Sequence, residues 1–307
     1  MGGRIVFAQV IECIPNFSEG RDPEKLQRII APFYEDKEVK VLDFSQDADH
    51  NRAVVTVIGT YEGLKRTVPL AAGKARDEID LRKHEGAHPR MGAMDVCPFV
   101  PIMNADMDIC IRLASEVGEI IASDYKIPVF LYEKSASSPL RENLAVVRKG
   151  EFEGMKEKML QPEWKPDFGP DQPHESAGAT AVGARMPLIA YNINIGTPVL
   201  EIANQIARKV RHSGGGLRYI KAMGVALQER SIVQVSMNMT DYTGSSLYQI
   251  MEMVKAEARR FGVNVIGSEI VGLAPMAALI DAAADYLQLE NFSLNQVIEA
   301  RLLEPEE

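Results

Sequence analysis

EWKPDFGPDQPHESAGATAVGARMP, residues 163–187, interrupts a chain that otherwise alternates between strand-like and helix-like runs. Pro166, Pro170, Pro173 and Pro187 fall within it, and neither a strand nor a helix period runs through it. A connection this long without structure of its own is a linker or a functional loop. Its composition favours a linker, although it holds the single tryptophan, Trp164, and a histidine, His174. On that reading the chain has two halves, residues 1–187 and 188–307.

Working back from the link, the first half reads as strand 6–15, the polar loop NFSEGRD, and a helix with Asp22 as N-cap and Pro23 at its first position. The β-branched runs 39–45 and 53–61 flank the polar stretch QDADHNR, and a helix over about 62–80 follows. Strand MDVCPFVPI, helix DMDICIRLASEVGEIIASDY and strand PVFLYE come next. The order is βαββαβ with one extra, hairpin-like strand and shorter helices to about residue 160. Working forward, LIAYNINI is a strand, TPVLEIANQIARKVRHS a helix capped by Thr197, RYIKAMGVAL and IVQVSMNM two strands. Helix SLYQIMEMVKAEARRFG, strand VNVIGSEIVGL and two terminal helices finish the chain. Each half therefore reads as one βαββαβ unit, the split ferredoxin-like pattern. The repeat rests on element order, since no sequence identity between the halves is visible.

The net charge of −9 disfavours a nucleic-acid surface. It also means that an anionic ligand must be held by a local cluster of Arg and Lys against the overall field. Three cysteines, Cys13, Cys97 and Cys110, lie far apart without a CxxC pair, which suits buried thiols in a reducing compartment. No apolar run approaches the roughly 20 residues of a membrane span. The opening MGGRIVFAQVIECIPNF lacks a small-residue cleavage site and reads as a first strand, and Val6 stands where myristoylation needs Ser or Thr. The cytoplasm is the expected location.

The chemistry concentrates in KHEGAHPRMGAMDVCPFVP, residues 83–101. His84 and His88 have the spacing of a helical metal pair, but Gly86 and Pro89 break the helix such a pair needs. A metal is therefore not expected, and a structural role for one histidine is. His88 stands in a glycine-proline loop before a strand, where an imidazole can titrate near neutral pH and act as acid and base. Arg90 can fork onto a carboxylate, and Asp95 can orient the loop or simply face solvent at the strand end. HSGGGLR, residues 212–218, has its glycines after a helix, so it reads as a C-cap and turn rather than a phosphate cradle.

ECIPNFSEGRD (12–22), HPRMGAMDVCPFVP (88–101), WKPDFGP (164–170) and GATAVGAR (178–185) closely resemble the formiminotransferase domain family, and the resemblance runs from about Val10 to Leu287. It implies an α+β fold of two ferredoxin-like (βαββαβ) subdomains with stacked sheets, helices on the outside and folate in a groove between them. The implied reaction passes the formimino group from N-formimino-L-glutamate to N5 of tetrahydrofolate in histidine breakdown, with tetrahydrofolate as co-substrate and no metal. The family's catalytic histidine falls on His88. Its folate-binding loop falls on Gly169, Pro170, Asp171, Gln172, Pro173, His174, Glu175, Ser176, Ala177 and Gly178, which turns the linker into a binding segment. Both substrates carry carboxylates, so Arg52, Arg90 and Arg185 are candidate clamps. A homodimer is implied, with small molecules as the only other partners. The chain ends at Glu307 without room for a cyclodeaminase domain, so one reaction is expected rather than two. The chain departs from the family in the polar GPDQPHESAG, which lacks an aromatic near its end, and in Ser45 between Asp43 and Asp47, where the family often has Asp-x-Asp. A folate-binding or regulatory protein of the same fold, without transfer activity, is the alternative.

Overall fold

The computed structural model describes residues 9–303, with side chains to residue 301. The start of the expected first strand and the N-terminal targeting readings fall largely on residues 1–8, outside the described residues. The chain divides into two compact units between Arg185 and Met186.

In the first unit, β1 (Val10–Cys13) and β2 (Asn16–Phe17) are successive pieces of one strand line. Helix α1 (Pro23–Glu35), strands β3 (Val39–Asp47) and β4 (Arg52–Gly59), helix α2 (Tyr61–Glu78) and strand β5 (Met94–Met103) follow. Asp22 caps α1 by accepting from the Lys25 backbone N–H at 3.0 Å, as its position before Pro23 anticipates. Then come α3 (Met107–Tyr125), β6 (Val129–Glu133), α4 (Leu144–Arg148), α5 (Glu151–Lys158) and β7 (Thr180–Ala184). Strand β4 lies antiparallel to β3 and β1, and β1 antiparallel to β5.

Two expectations are corrected at the other side of β5. Residues 180–184 are not part of a linker but form β7, which lies between β5 and β6 and runs parallel to both. Strand β6 is accordingly no hairpin; among the described residues it joins the sheet through β7 alone. All five residues of β7 are buried. Val182 faces the core under α1, α2 and α3, and Ala181 faces Phe130, Tyr132, Met155 and Trp164. A strand covered on both faces has no polar alternation to betray it. Helices therefore lie on both faces of this sheet, because the α4–α5 segment covers the side opposite α1–α3 near β6 and β7. Across β4 the alternation is complete: Ala53, Val55 and Val57 are buried in the helix-covered core, while Arg52, Val54, Thr56 and Ile58 form a half-buried opposite face.

The second unit runs β8 (Ile189–Ile195), α6 (Leu200–Val210), β9 (Ile220–Leu227), β10 (Ile232–Met239), α7 (Leu247–Arg260), β11 (Val265–Val271), α8 (Met276–Leu287) and α9 (Ile298–Leu303). Its sheet is antiparallel throughout, in the order β11-β8-β10-β9. Ile206 and Val210 of α6 and Ile250 and Val254 of α7 close one core over Ile193, Ile195, Val233 and Val235. Helix α6 starts later than Thr197 suggests: the Thr197 hydroxyl accepts from the Val199 N–H at 3.3 Å, a local turn that delays the first helical residue to Leu200.

Candidate active site

His88 sits on the loop between α2 and β5, and the loop is held from several sides. The Asp95 carboxylate accepts from the Met91 N–H at 2.7 Å. Asp95 is the extra residue of a β-bulge, since Asn16 pairs Val96 while Phe17 pairs Met94. Bulges re-aim a side chain, and here one turns a carboxylate back onto the loop. Burial raises the Asp95 carboxyl above its ordinary value, and the Arg148 guanidinium, 2.6 Å away, opposes that rise.

Asn51 fastens the other end. It adopts the left-handed conformation at φ 48°, which asparagine tolerates better than most residues. Its side chain accepts from the Gly20 N–H and donates to the Glu85 carbonyl, both at 2.9 Å. Its own carbonyl accepts from His84 Nε2 at 3.0 Å. The loop passes so close that a Cβ on Gly86 would lie 2.5 Å from the His50 carbonyl oxygen. Three loops from distant parts of the first unit thus meet at one asparagine.

The two histidines have different surroundings. His84 donates from Nε2 to Asn51 and accepts at Nδ1 from Arg90 Nε at 3.2 Å, so both ring nitrogens are engaged and the ring is held neutral. Burial is the main cause that lowers its pKa. No lone pair remains for a metal or a substrate proton. His88 meets a guanidinium instead: Arg52 Nη1 lies 3.3 Å from its Nδ1 and 3.2 Å from its Nε2. Burial, then the charges of Arg52, Arg148 and His50, push its pKa down to about 3. That direction runs against the expected titration near neutral pH and leaves His88 a neutral imidazole.

Arg90 is buried and does not present a free fork. Nη1 contacts Glu151 at 3.1 Å and Glu153 at 2.8 Å, Nη2 contacts Glu153 at 2.6 Å, and Nε donates to His84. It braces the start of α5 and the His84 ring. Arg52 differs, because among the described residues its guanidinium has no carboxylate within bonding distance.

Family models for the formiminotransferase domain, N-terminal subdomain, and for the formiminotransferase domain match residues 10–185 and 190–303. The chain belongs to the formiminotransferase family. It is 50% identical to the glutamate formimidoyltransferase of Streptococcus pyogenes serotype M1 over 96% of this chain and 99% of that protein. Identity to the glutamate formimidoyltransferase of Thermoplasma acidophilum is 42%, over 95% and 97%. The formimidoyltransferase-cyclodeaminase of Rattus norvegicus is 40% identical over 96% of this chain but only 56% of its own length.

In this formiminotransferase the segment Gly169–Gly178 is ordered against the His88 loop rather than loose between the units. His174 and Gly178 exchange backbone hydrogen bonds at 2.8 and 2.9 Å, Ala93 N–H donates to the Ala177 carbonyl and Ala179 N–H to the Met91 carbonyl. Gly178 has φ 68°, and a Cβ there would lie 2.1 Å from the Met91 oxygen. His174 Nδ1 accepts from the N–H groups of Ser176 and Ala177, and Glu175 pairs with Arg82. Asp171 pairs with Lys165 at 2.6 Å, and Gly169 turns the chain at φ 93°. Pro170, Gln172 and Pro173 lie within this turn.

The structure brings His88 and Arg52 together and ties Ser176, Ala177 and Gly178 to the same neighbourhood. It does not bring Arg185 there. The Arg185 N–H donates to the Phe99 carbonyl and its charge acts on Glu12, so it lies about five residues, or ~17 Å, along β5 from the Met94 end. Sequence reasoning missed Arg148. Arg148 stands in an unremarkable helix, 53 residues from Asp95, without any motif; Asn51 carries a weak signal as a turn-forming residue in DHN.

Proposed function

We propose that His88 carries the proton in transfer of the formimino group between N-formimino-L-glutamate and N5 of tetrahydrofolate. The chain is a folate-dependent glutamate formimidoyltransferase. The amine N5 attacks the amidine carbon, and a new C–N bond forms as His88 takes the N5 proton. The tetrahedral adduct then collapses: the bond to the glutamate nitrogen breaks, and the imidazolium returns the proton to that nitrogen. The amidinium carbon is already electrophilic, so the step draws on no metal. A single observation supports this role: His88 is a neutral imidazole on a rigidly braced loop, beside a half-buried arginine that lacks a carboxylate.

The segment Gly169–Gly178 is proposed as the folate-binding loop, supported by its ordered backbone against residues 91–93. Arg52 is the proposed clamp for a substrate carboxylate, while Arg185 would serve a more distant part of the ligand. The two units are proposed as ferredoxin-like subdomains: β5-β1-β4-β3 and β11-β8-β10-β9 share one strand order, 4-1-3-2 within each βαββαβ. A cytoplasmic homodimer is part of the same reading.

The test is transfer with purified protein, formiminoglutamate and tetrahydrofolate. His88→Ala is expected to lower kcat by roughly 10²–10⁴-fold with folate affinity unchanged. Unchanged kcat would remove His88 from the chemistry, and folate binding without transfer by the wild type would leave a binding protein.

A further inference from the structure

We propose that Arg148 is the second arm of a carboxylate site, acting with Arg52 to hold a carboxylate of the amino-acid donor beside His88. This rests on the transferase reading and deepens it.

The N–H inventory carries the proposal. Arg148 donates from Nη2 to Asp95, and its Nε is buried without a hydrogen-bond partner. The neighbouring arginines contrast with it. Arg90 has all three nitrogens engaged. Arg141 shares the unpartnered Nε, but both of its terminal nitrogens are engaged, Nη1 with Asp167 and Ser137 and Nη2 with the Glu163 and Lys165 carbonyls. Among the described residues, Arg52 reaches only imidazole nitrogens. Two guanidiniums thus stand near His88 against one buried carboxylate, Asp95, while Asp47 is exposed and paired with His50 at 2.8 Å. Buried polar hydrogens without partners are costly, and a planar oxyanion suits an arginine fork. Their charges also act on each other: Arg148 lowers the pKa of Arg52 and of His88. An arriving carboxylate relieves that repulsion.

The position of Arg148 is fixed, because Asp95 is itself held by the Met91 N–H, three residues past His88. The site also gates the base. Arg52 Nη1 lies within 3.3 Å of both ring nitrogens of His88. A carboxylate is the stronger acceptor for a guanidinium, so donor binding draws Arg52 away and frees the imidazole for the N5 proton. The base becomes available when the donor is in place.

The experiment compares wild type with Arg148→Lys and Arg148→Met. The lysine variant keeps a charge for Asp95 but loses the fork, so it preserves the fold where the methionine variant risks it. Expected results are a KM for formiminoglutamate raised roughly 10- to 100-fold, with the KM for tetrahydrofolate within about twofold. Calorimetric titration with glutamate should show the same fold loss of affinity. Glutamate affinity unchanged in folded Arg148→Lys overturns the proposal. Wild-type glutamate binding that depends on Arg148, without any transfer, sustains this site and fails only the transferase reading.

Discussion

Replacing His88 by asparagine should make the first unit less sensitive to mild acid. An unfolded histidine titrates near 6.5, whereas in the folded protein burial, with Arg52, Arg148 and His50, holds His88 down to about 3. Between those values the unfolded chain binds a proton that the folded chain does not. Stability therefore rises with pH through this window and is lost as pH falls from about 6.5 towards 3; above 6.5 the group contributes nothing. Each pH unit corresponds to about 1.36 kcal/mol, so the 1.5 units down to pH 5 amount to about 2 kcal/mol. The ring is only partly buried, and solvent screening reduces this to roughly 1–2 kcal/mol. Trp164, the only tryptophan, is 7% exposed and packs on Phe130 in the same unit, so its fluorescence follows the unfolding of interest. Urea titrations at pH 7 and pH 5 give the acid loss for each protein. His84 and His174, also lowered by burial, remain in the variant, as do the carboxylates, so the difference isolates His88. An identical acid loss in wild type and His88→Asn would refute the depressed imidazole, and with it the gating by Arg52.

Arg90→Met should destabilise the first unit by about 1–3 kcal/mol, since it removes the links to His84, Glu151 and Glu153. Both KM values should stay within about twofold, and a raised KM at unchanged stability would make Arg90 a clamp after all. Gly178→Ala forces a left-handed alanine whose Cβ meets the Met91 oxygen at 2.1 Å. A loss of about 2–4 kcal/mol and a reduced kcat are expected, because Met91 anchors the His88 loop; an unmoved urea midpoint argues against the tie between the two segments.

The sequence by itself determined the βαββαβ order of each half, the cap at Asp22 and the break of the His84–His88 spacing by Gly86 and Pro89. These are local properties, set by periodicity, turn residues and backbone sterics within a few positions. The long motif around His88 also identified the family, because its composition is unusual over many consecutive residues. The tertiary structure decided the rest. Strand β7 escaped notice because small residues buried on both faces carry no alternation, and its partners arrive from β5 and β6. The fate of each arginine was equally hidden. Arg90 and Arg52 look alike as side chains in polar loops, yet one finds Glu151 and Glu153 more than 60 residues away, and the other finds only His88, 36 residues on. Whether a guanidinium is a brace or a clamp depends on which carboxylates the fold brings within 4 Å, and no local pattern encodes an absence. The same holds for His88, whose neutrality comes from burial and from charges on β4 and α4.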